Sequence, residues 1–111
     1  EIGYDFDASA LVERRVRQAL DCGVDGVVSS PLEAARVRQI ADEAGRPDFL
    51  IVTPGVRPEG ADPGDQMRVA TPPVALLTGA THLVVARPIV AAANPLLAAS
   101  AIVESIDGVG R

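Results

Sequence analysis

Residues 49–58 read Phe-Leu-Ile-Val-Thr-Pro-Gly-Val-Arg-Pro, and the first five decide the fold. An unbroken apolar and β-branched run, with no polar alternation, fits a strand buried on both faces. Such strands belong to parallel sheets held between helices. The flanks agree. On the N-terminal side, Ser30-Pro31-Leu32-Glu33 sets a cap, an N1 proline and an N3 glutamate in capping-box order. The helix it opens carries Leu32, Ala35, Val37 and Ile40 and closes near Gly45. Further back, Asp7 or Ser9 caps a helix with Leu11, Val12, Val16, Ala19 and Leu20 at helical spacing, ended by Gly23. The run Val24–Ser29 then reads as a strand.

Beyond residue 58 the pattern repeats. Thr71-Pro72-Pro73 caps a short helix through Leu77 that stops at Gly79, and His82–Ala86 reads as another buried strand. Asn94-Pro95 opens a last helix through Ile106, stopped by Gly108. The expected order is α, β, α, β, α, β, α. Strands separated by helices need right-handed crossovers, so the chain is expected to be an α/β unit with a parallel sheet. Three short strands leave both sheet edges open.

Composition narrows the class. The 111 residues carry a formal net charge of −5, which argues against a nucleic-acid footprint or an anionic-membrane patch. Apolar residues make up 48%, enough for a core, and the length suits one small domain. Arg87, Pro88 and Asn94 break the longest apolar runs, so no transmembrane helix is expected. No leader pattern opens the chain at Glu1, and the single cysteine, Cys22, makes no internal disulfide, so a cytoplasmic location is expected. All 10 basic residues are Arg; without Lys, the chain builds no Schiff base or lysine general acid.

The stretch from Pro54 to Ala70 is far longer than the other connections, and loops of that length in compact domains tend to be functional. It sets Arg57, Gln66 and Arg68 among glycines, while Arg87 follows the His82 strand in the turn Ala86-Arg87-Pro88. Guanidinium forks with backbone amides suit an anion, and neighbouring parallel strands open their loops on one side. A (β/α)₈ barrel commonly holds phosphate on the loops after its last two strands. His82, the sole histidine, lacks a nucleophile or second metal ligand at suggestive spacing and reads as a packing or surface residue. Cys22 ends a helix, where the dipole disfavours a thiolate. Glu59, Asp62 and Asp65 lack the calcium-loop spacing, so no metal site is expected.

Asp25-Gly26-Val27-Val28-Ser29-Ser30, Val52-Thr53-Pro54-Gly55-Val56-Arg57-Pro58, Gly64-Asp65-Gln66-Met67-Arg68, Thr71-Pro72 and Val85-Ala86-Arg87-Pro88-Ile89 together resemble the bacterial form of the orotidine 5′-phosphate decarboxylase family. The resemblance covers nearly the whole chain. It implies a partial (β/α)₈ TIM barrel in which residues 1–111 supply the last three parallel strands and their helices, not a complete domain. It implies a carboxy-lyase that converts orotidine 5′-monophosphate to UMP in pyrimidine synthesis, without a cofactor, as a homodimer when complete. Arg57, Gln66, Ala86 and Arg87 match the family's substrate-binding positions, with alanine at 86 where the family usually has glycine. The family's catalytic lysine has no counterpart here, so the chain alone is expected to be inactive.

Two other readings stay open: another barrel fragment that binds a sugar phosphate, and a non-catalytic βα module that assembles with its own copies. Any such fragment is expected to leave Val27, Ile51 and Val84 facing inward without opposing side chains, a patch that drives association.

Overall fold

The computed structural model describes residues 2–58 and 70–109. Chain order is α1 (Ile2–Asp21), β1 (Gly26–Val28), α2 (Pro31–Glu43), β2 (Leu50–Thr53), α3 (Pro72–Leu77), β3 (His82–Leu83), α4 (Arg87–Val90) and α5 (Pro95–Ile106). The three strands form one parallel sheet in the order β1-β2-β3. Every strand-to-strand connection passes through a helix, as the alternation predicts, and the α/β class holds.

Glycine and proline set the boundaries. Gly23 and Gly45 lie at φ 80 and 81, the left-handed region that ends a helix without a Cβ clash. Pro31, Pro72 and Pro95 each occupy a first helical position, where the missing N–H costs nothing. Capping is less uniform. Asn94 accepts from the Leu97 N–H at 3.1 Å, whereas Ser30 and Thr71 hold the cap position without a side-chain cap bond. The expected capping box at Ser30–Glu33 is therefore not made; the Glu33 N–H bonds the Ser30 carbonyl instead, at 3.1 Å. Nor do Asp7 or Ser9 cap α1, because the helix already runs from Ile2 and nothing between breaks it.

Register fixes which side chains meet the helices. Gly26, Val27 and Val28 pair with Leu50, Ile51 and Val52, and Val52 and Thr53 with His82 and Leu83. Side chains alternate across a strand. Ile51 and Thr53 are fully buried, and Ile51 packs with Val16, Ala34, Val37, Ile40, Ala41 and Phe49, with Val27 against the same cluster. The opposite face carries Val28 and Val84, exposed at 73% and 47%. Two expectations fail here. Among the described residues β2 is covered on one face only, and Val27 and Ile51 point toward the helices, not inward; Val84 alone of the three is on the open face. A run without polar alternation carries no parity, so its two faces are indistinguishable in sequence.

Other elements differ in extent. The β1 and β3 ladders are shorter than the β-branched runs, and His82 is exposed and Leu83 half-buried, so β3 is not a buried strand. Along α2 the buried residues are Ala34, Val37, Ile40 and Ala41, while Leu32 and Ala35 face solvent. Arg87-Pro88 opens a one-turn helix where a turn is expected, its proline again at the start.

Polar side chains lock the helices to the sheet. Arg38 donates to the carbonyls of Phe49 and Arg46, both at 2.9 Å, and pairs with Asp42, which satisfies the α2–β2 turn. Glu13 on α1 accepts from Arg36 on α2 at 2.8 Å and from Arg17 at 3.0 Å. Arg36 and then Arg17 hold the Glu13 carboxyl below its ordinary range. A lowered carboxylate pKa stabilises the fold above the unfolded value, and that contribution disappears as pH falls through the folded value. Glu13→Gln is accordingly expected to flatten the acid side of the stability–pH curve below about pH 5, measured by urea denaturation against pH. Gly26 lies so close to β2 that a Cβ would fall on the Leu50 carbonyl oxygen and side chain. Backbone cannot rotate aside, so Gly26→Ala should cost about 3 kcal/mol, read as a fall in the urea midpoint.

Candidate anion site

Ligands of parallel α/β sheets bind outside the carboxyl ends of the strands. Here the carboxyl ends of β2 and β3 are held together by backbone. The Val84 N–H donates to the Thr53 carbonyl at 2.9 Å. At the other end of that pairing, the Thr81 N–H donates to the Ile51 carbonyl at 2.8 Å, and the Thr81 hydroxyl accepts from the Ile51 N–H at 2.8 Å. The segments leaving the two strands therefore start side by side.

Between them lies a cavity of about 240 Å³ lined by Pro54, Gly55, Val56, Arg57, Val84, Ala86, Arg87 and Pro88. Among the described residues two guanidiniums line it and no carboxylate does. These guanidiniums stand against apolar walls, where the attraction between a cation and an anion is stronger than in open water. Arg57 is half-buried and Arg87 exposed. The Arg87 side chain makes no hydrogen bond or ion pair among the described residues, leaving its fork available. Near the first rim, Val56 is 2% exposed and forms a parallel bridge with Ala70, and the Arg57 N–H donates to the Ala70 carbonyl at 2.9 Å. The long loop is pinned where it begins and ends. Gly55, at φ 75, turns the chain from β2 into that bridge.

The volume also says what the cavity takes. Complete small-molecule pockets usually run from about 300 to 1,000 Å³. This one, at about 240 Å³, has room for the charged end of such a ligand.

Of the expected site residues, the structure brings Arg57, Ala86 and Arg87 onto one cavity. Gln66 lies outside the described residues, as do Arg68, Glu59, Asp62 and Asp65. Ala86 has φ −113, a negative value open to any L-residue, so its methyl is borne without left-handed strain. His82 begins β3 as expected, its Nδ1 3.0 Å from the Thr81 hydroxyl. Three hydroxyl residues next to the strands were not among the expected site residues. Thr81 is legible only once β2 and β3 are paired. Thr53 is fully buried, and its hydroxyl finds no partner among the described residues. Ser30 looks like a cap, yet its hydroxyl is not used as one and sits exposed after β1. Among the described residues no three potential metal ligands cluster, and no helix is long and apolar enough to cross a membrane.

Comparison with known proteins adds independent findings. Residues 1–102 match the model of the orotidine 5′-phosphate decarboxylase / HUMPS family. The chain is 62% identical over 109 residues to an orotidine 5′-phosphate decarboxylase of Caulobacter vibrioides (strain NA1000 / CB15N), which covers 98% of this chain and 47% of that protein. It is 56% identical over 108 residues to that of Caulobacter sp. (strain K31), covering 97% and 45%. The crystal structure of orotidine 5′-phosphate decarboxylase from Lactobacillus acidophilus superposes with a TM-score of 0.72 at 35% identity, over 90% of this chain and 38% of that one. The chain thus spans about half the length of the curated relatives it matches.

Because Ala86 already has a backbone conformation it tolerates, Ala86→Gly should leave affinity for inorganic phosphate within about twofold. The gain in unfolded-chain freedom should lower stability by about 0.4–1 kcal/mol. Phosphate titration by calorimetry and urea denaturation give the two values.

Proposed function

We propose a function from one premise: this chain belongs to the orotidine 5′-phosphate decarboxylase / HUMPS family. In our reading it is the phosphate-holding part of a (β/α)₈ barrel that converts orotidine 5′-monophosphate to UMP. The observation that carries this reading is the pair Arg57 and Arg87 on one cavity at the ends of adjacent parallel strands.

The chemistry explains why such a part exists. Decarboxylation breaks a carbon–carbon bond, releases CO₂, and leaves the bonding electron pair on the ring carbon. A positioned cation must stabilise that charge as it develops. No Lys is present in this chain, and its arginine cavity grips a remote anion instead. Remote binding contributes to rate by fixing the ring in place and offsetting the entropy of positioning it. Arg57, Gln66, Ala86 and Arg87 form this grip in our proposal, with Arg87 on the phosphate. The active unit is the whole barrel, a cytoplasmic homodimer that uses a nucleotide monophosphate and no cofactor.

The test joins residues 1–111 to the part of the Caulobacter vibrioides relative outside the match, giving a chimeric barrel. The chimera should release CO₂ from orotidine 5′-monophosphate and bind UMP more tightly than ribose 5-phosphate. The 111 residues alone should release none above background. In the chimera, Arg87→Ala should lower kcat/KM by roughly 10- to 150-fold, since a charge-assisted contact contributes about 1.5–3 kcal/mol. Equal affinity for UMP and ribose 5-phosphate would instead favour a sugar-phosphate enzyme of the same fold.

A further inference from the structure

β3 is two residues long, and among the described residues it pairs with β2 alone. Arg87 is carried by the segment that leaves β3, so the spacing of the two arginines depends on how β3 is seated on β2. We propose that Thr81 is a positioning residue for the anion cavity: its hydroxyl takes the place of a strand carbonyl and sets Arg87 against Arg57. The inference rests on the reading of that cavity as the phosphate grip.

The ladder shows why a side chain is needed. Where a parallel pair would put a backbone carbonyl of the neighbouring strand, the Ile51 N–H meets the Thr81 hydroxyl at 2.8 Å, because β3 begins only at His82. The turn before it is held elsewhere. The Ala80 N–H donates to the Ala75 carbonyl at 3.1 Å, and Gly79 lies against α2, where a Cβ would be 2.9 Å from the Ala34 carbonyl oxygen. The same hydroxyl reaches the Ile51 carbonyl at 3.1 Å and His82 Nδ1 at 3.0 Å. With a proton on Nδ1, the oxygen accepts twice and donates once, which uses all of its hydrogen-bonding positions. Thr81 itself is exposed, but Ile51 is fully buried. A methyl group in place of the hydroxyl would keep water from that amide and leave it unpaired.

The two rims differ in what holds them. On the Arg57 side, the Val56–Ala70 bridge and the Arg57 N–H fix the chain without help from β3. On the Arg87 side, the supports are the Thr81 bonds at one end of β3 and the Val84 N–H on the Thr53 carbonyl at the other. Loosening the Thr81 bonds lets β3 shift on β2 and moves Arg87 while Arg57 stays. An anion held by two guanidiniums needs both forks in reach at once. β2 and α3, which pack on β3, carry no charged side chain, so Thr81 acts on Arg87 through backbone placement and not through the local field.

The experiment measures inorganic phosphate binding to the 111-residue chain by calorimetry across Thr81→Ser, Thr81→Cys and Thr81→Val. Serine keeps the acceptor, a thiol accepts weakly, and valine copies the shape of threonine with no acceptor. Affinity is expected to stay within about twofold for serine and to fall roughly tenfold or more for valine, with cysteine between them. If size decided, valine would match threonine and serine would fall away. That order overturns the proposal, as does equal affinity in all three variants. If the valine variant does not fold, the serine and cysteine variants carry the same comparison. Ile40→Val, in the core away from the cavity, controls for lost stability. It should lower the urea midpoint and leave phosphate affinity within about twofold; a loss like that of Thr81→Val overturns the proposal. The two readings fail separately. A wild-type chain that binds no phosphate overturns both. Phosphate affinity that follows the acceptor, beside a chimera that releases no CO₂, overturns the proposed function alone.

Discussion

A strand has two faces, and in this chain helices cover one of them. Everything else follows from that constraint. Ile51 and Thr53 of the central strand are sealed against helices, while the open face presents Val28 and Val84 to solvent. A parallel sheet is ordinarily buried on both sides, because its backbone and its aliphatic side chains need cover. An open face beside a well-packed one describes half of a closed architecture. Beside that open face, the outer edge of β1 is unpaired among the described residues.

The anion cavity depends on the sheet more than on its loops. Arg57 and Arg87 lie thirty residues apart in sequence. They line one cavity because β2 and β3 are adjacent and parallel, with Thr53 and Thr81 bonding across the pair. The rim is fixed again by the Val56–Ala70 bridge. Such a support makes guanidinium placement a property of the fold, as anion recognition requires.

Much of this was legible because glycine and proline punctuate the chain. Gly23, Gly45, Pro31, Pro72 and Pro95 mark helix boundaries by steric necessity, and steric rules act locally. Strand extent was not legible, since ladder length depends on partners that lie elsewhere in the chain. Neither was parity: Val27 and Ile51 read as inward and are not, because a continuous apolar run has no polar residue to mark its outer face. Side-chain caps divide the same way. Asn94 makes its bond and Ser30 does not, although both occupy cap positions. The two candidate arginines were legible by type and by position after strands. Their shared cavity needed the strand order β1-β2-β3.

On the proposed function, the cavity and the open face divide the work of catalysis in a way that physical chemistry permits. A reacting centre needs charge stabilisation that changes during the reaction, so its groups must be placed to a fraction of an ångström. An anionic tail needs only a fixed positive pocket, which acts equally before and after bond breaking. The second task can therefore be built from two short strand ends and two arginines, with no lysine anywhere in the chain. What it cannot do alone is convert grip into rate. Binding energy from a remote group accelerates chemistry only when the reacting end is held against its catalytic groups. The face that would hold that end is the one left open beside Val84. On the proposed function, closing that face is the structural step that would turn an anion-binding half into a catalyst.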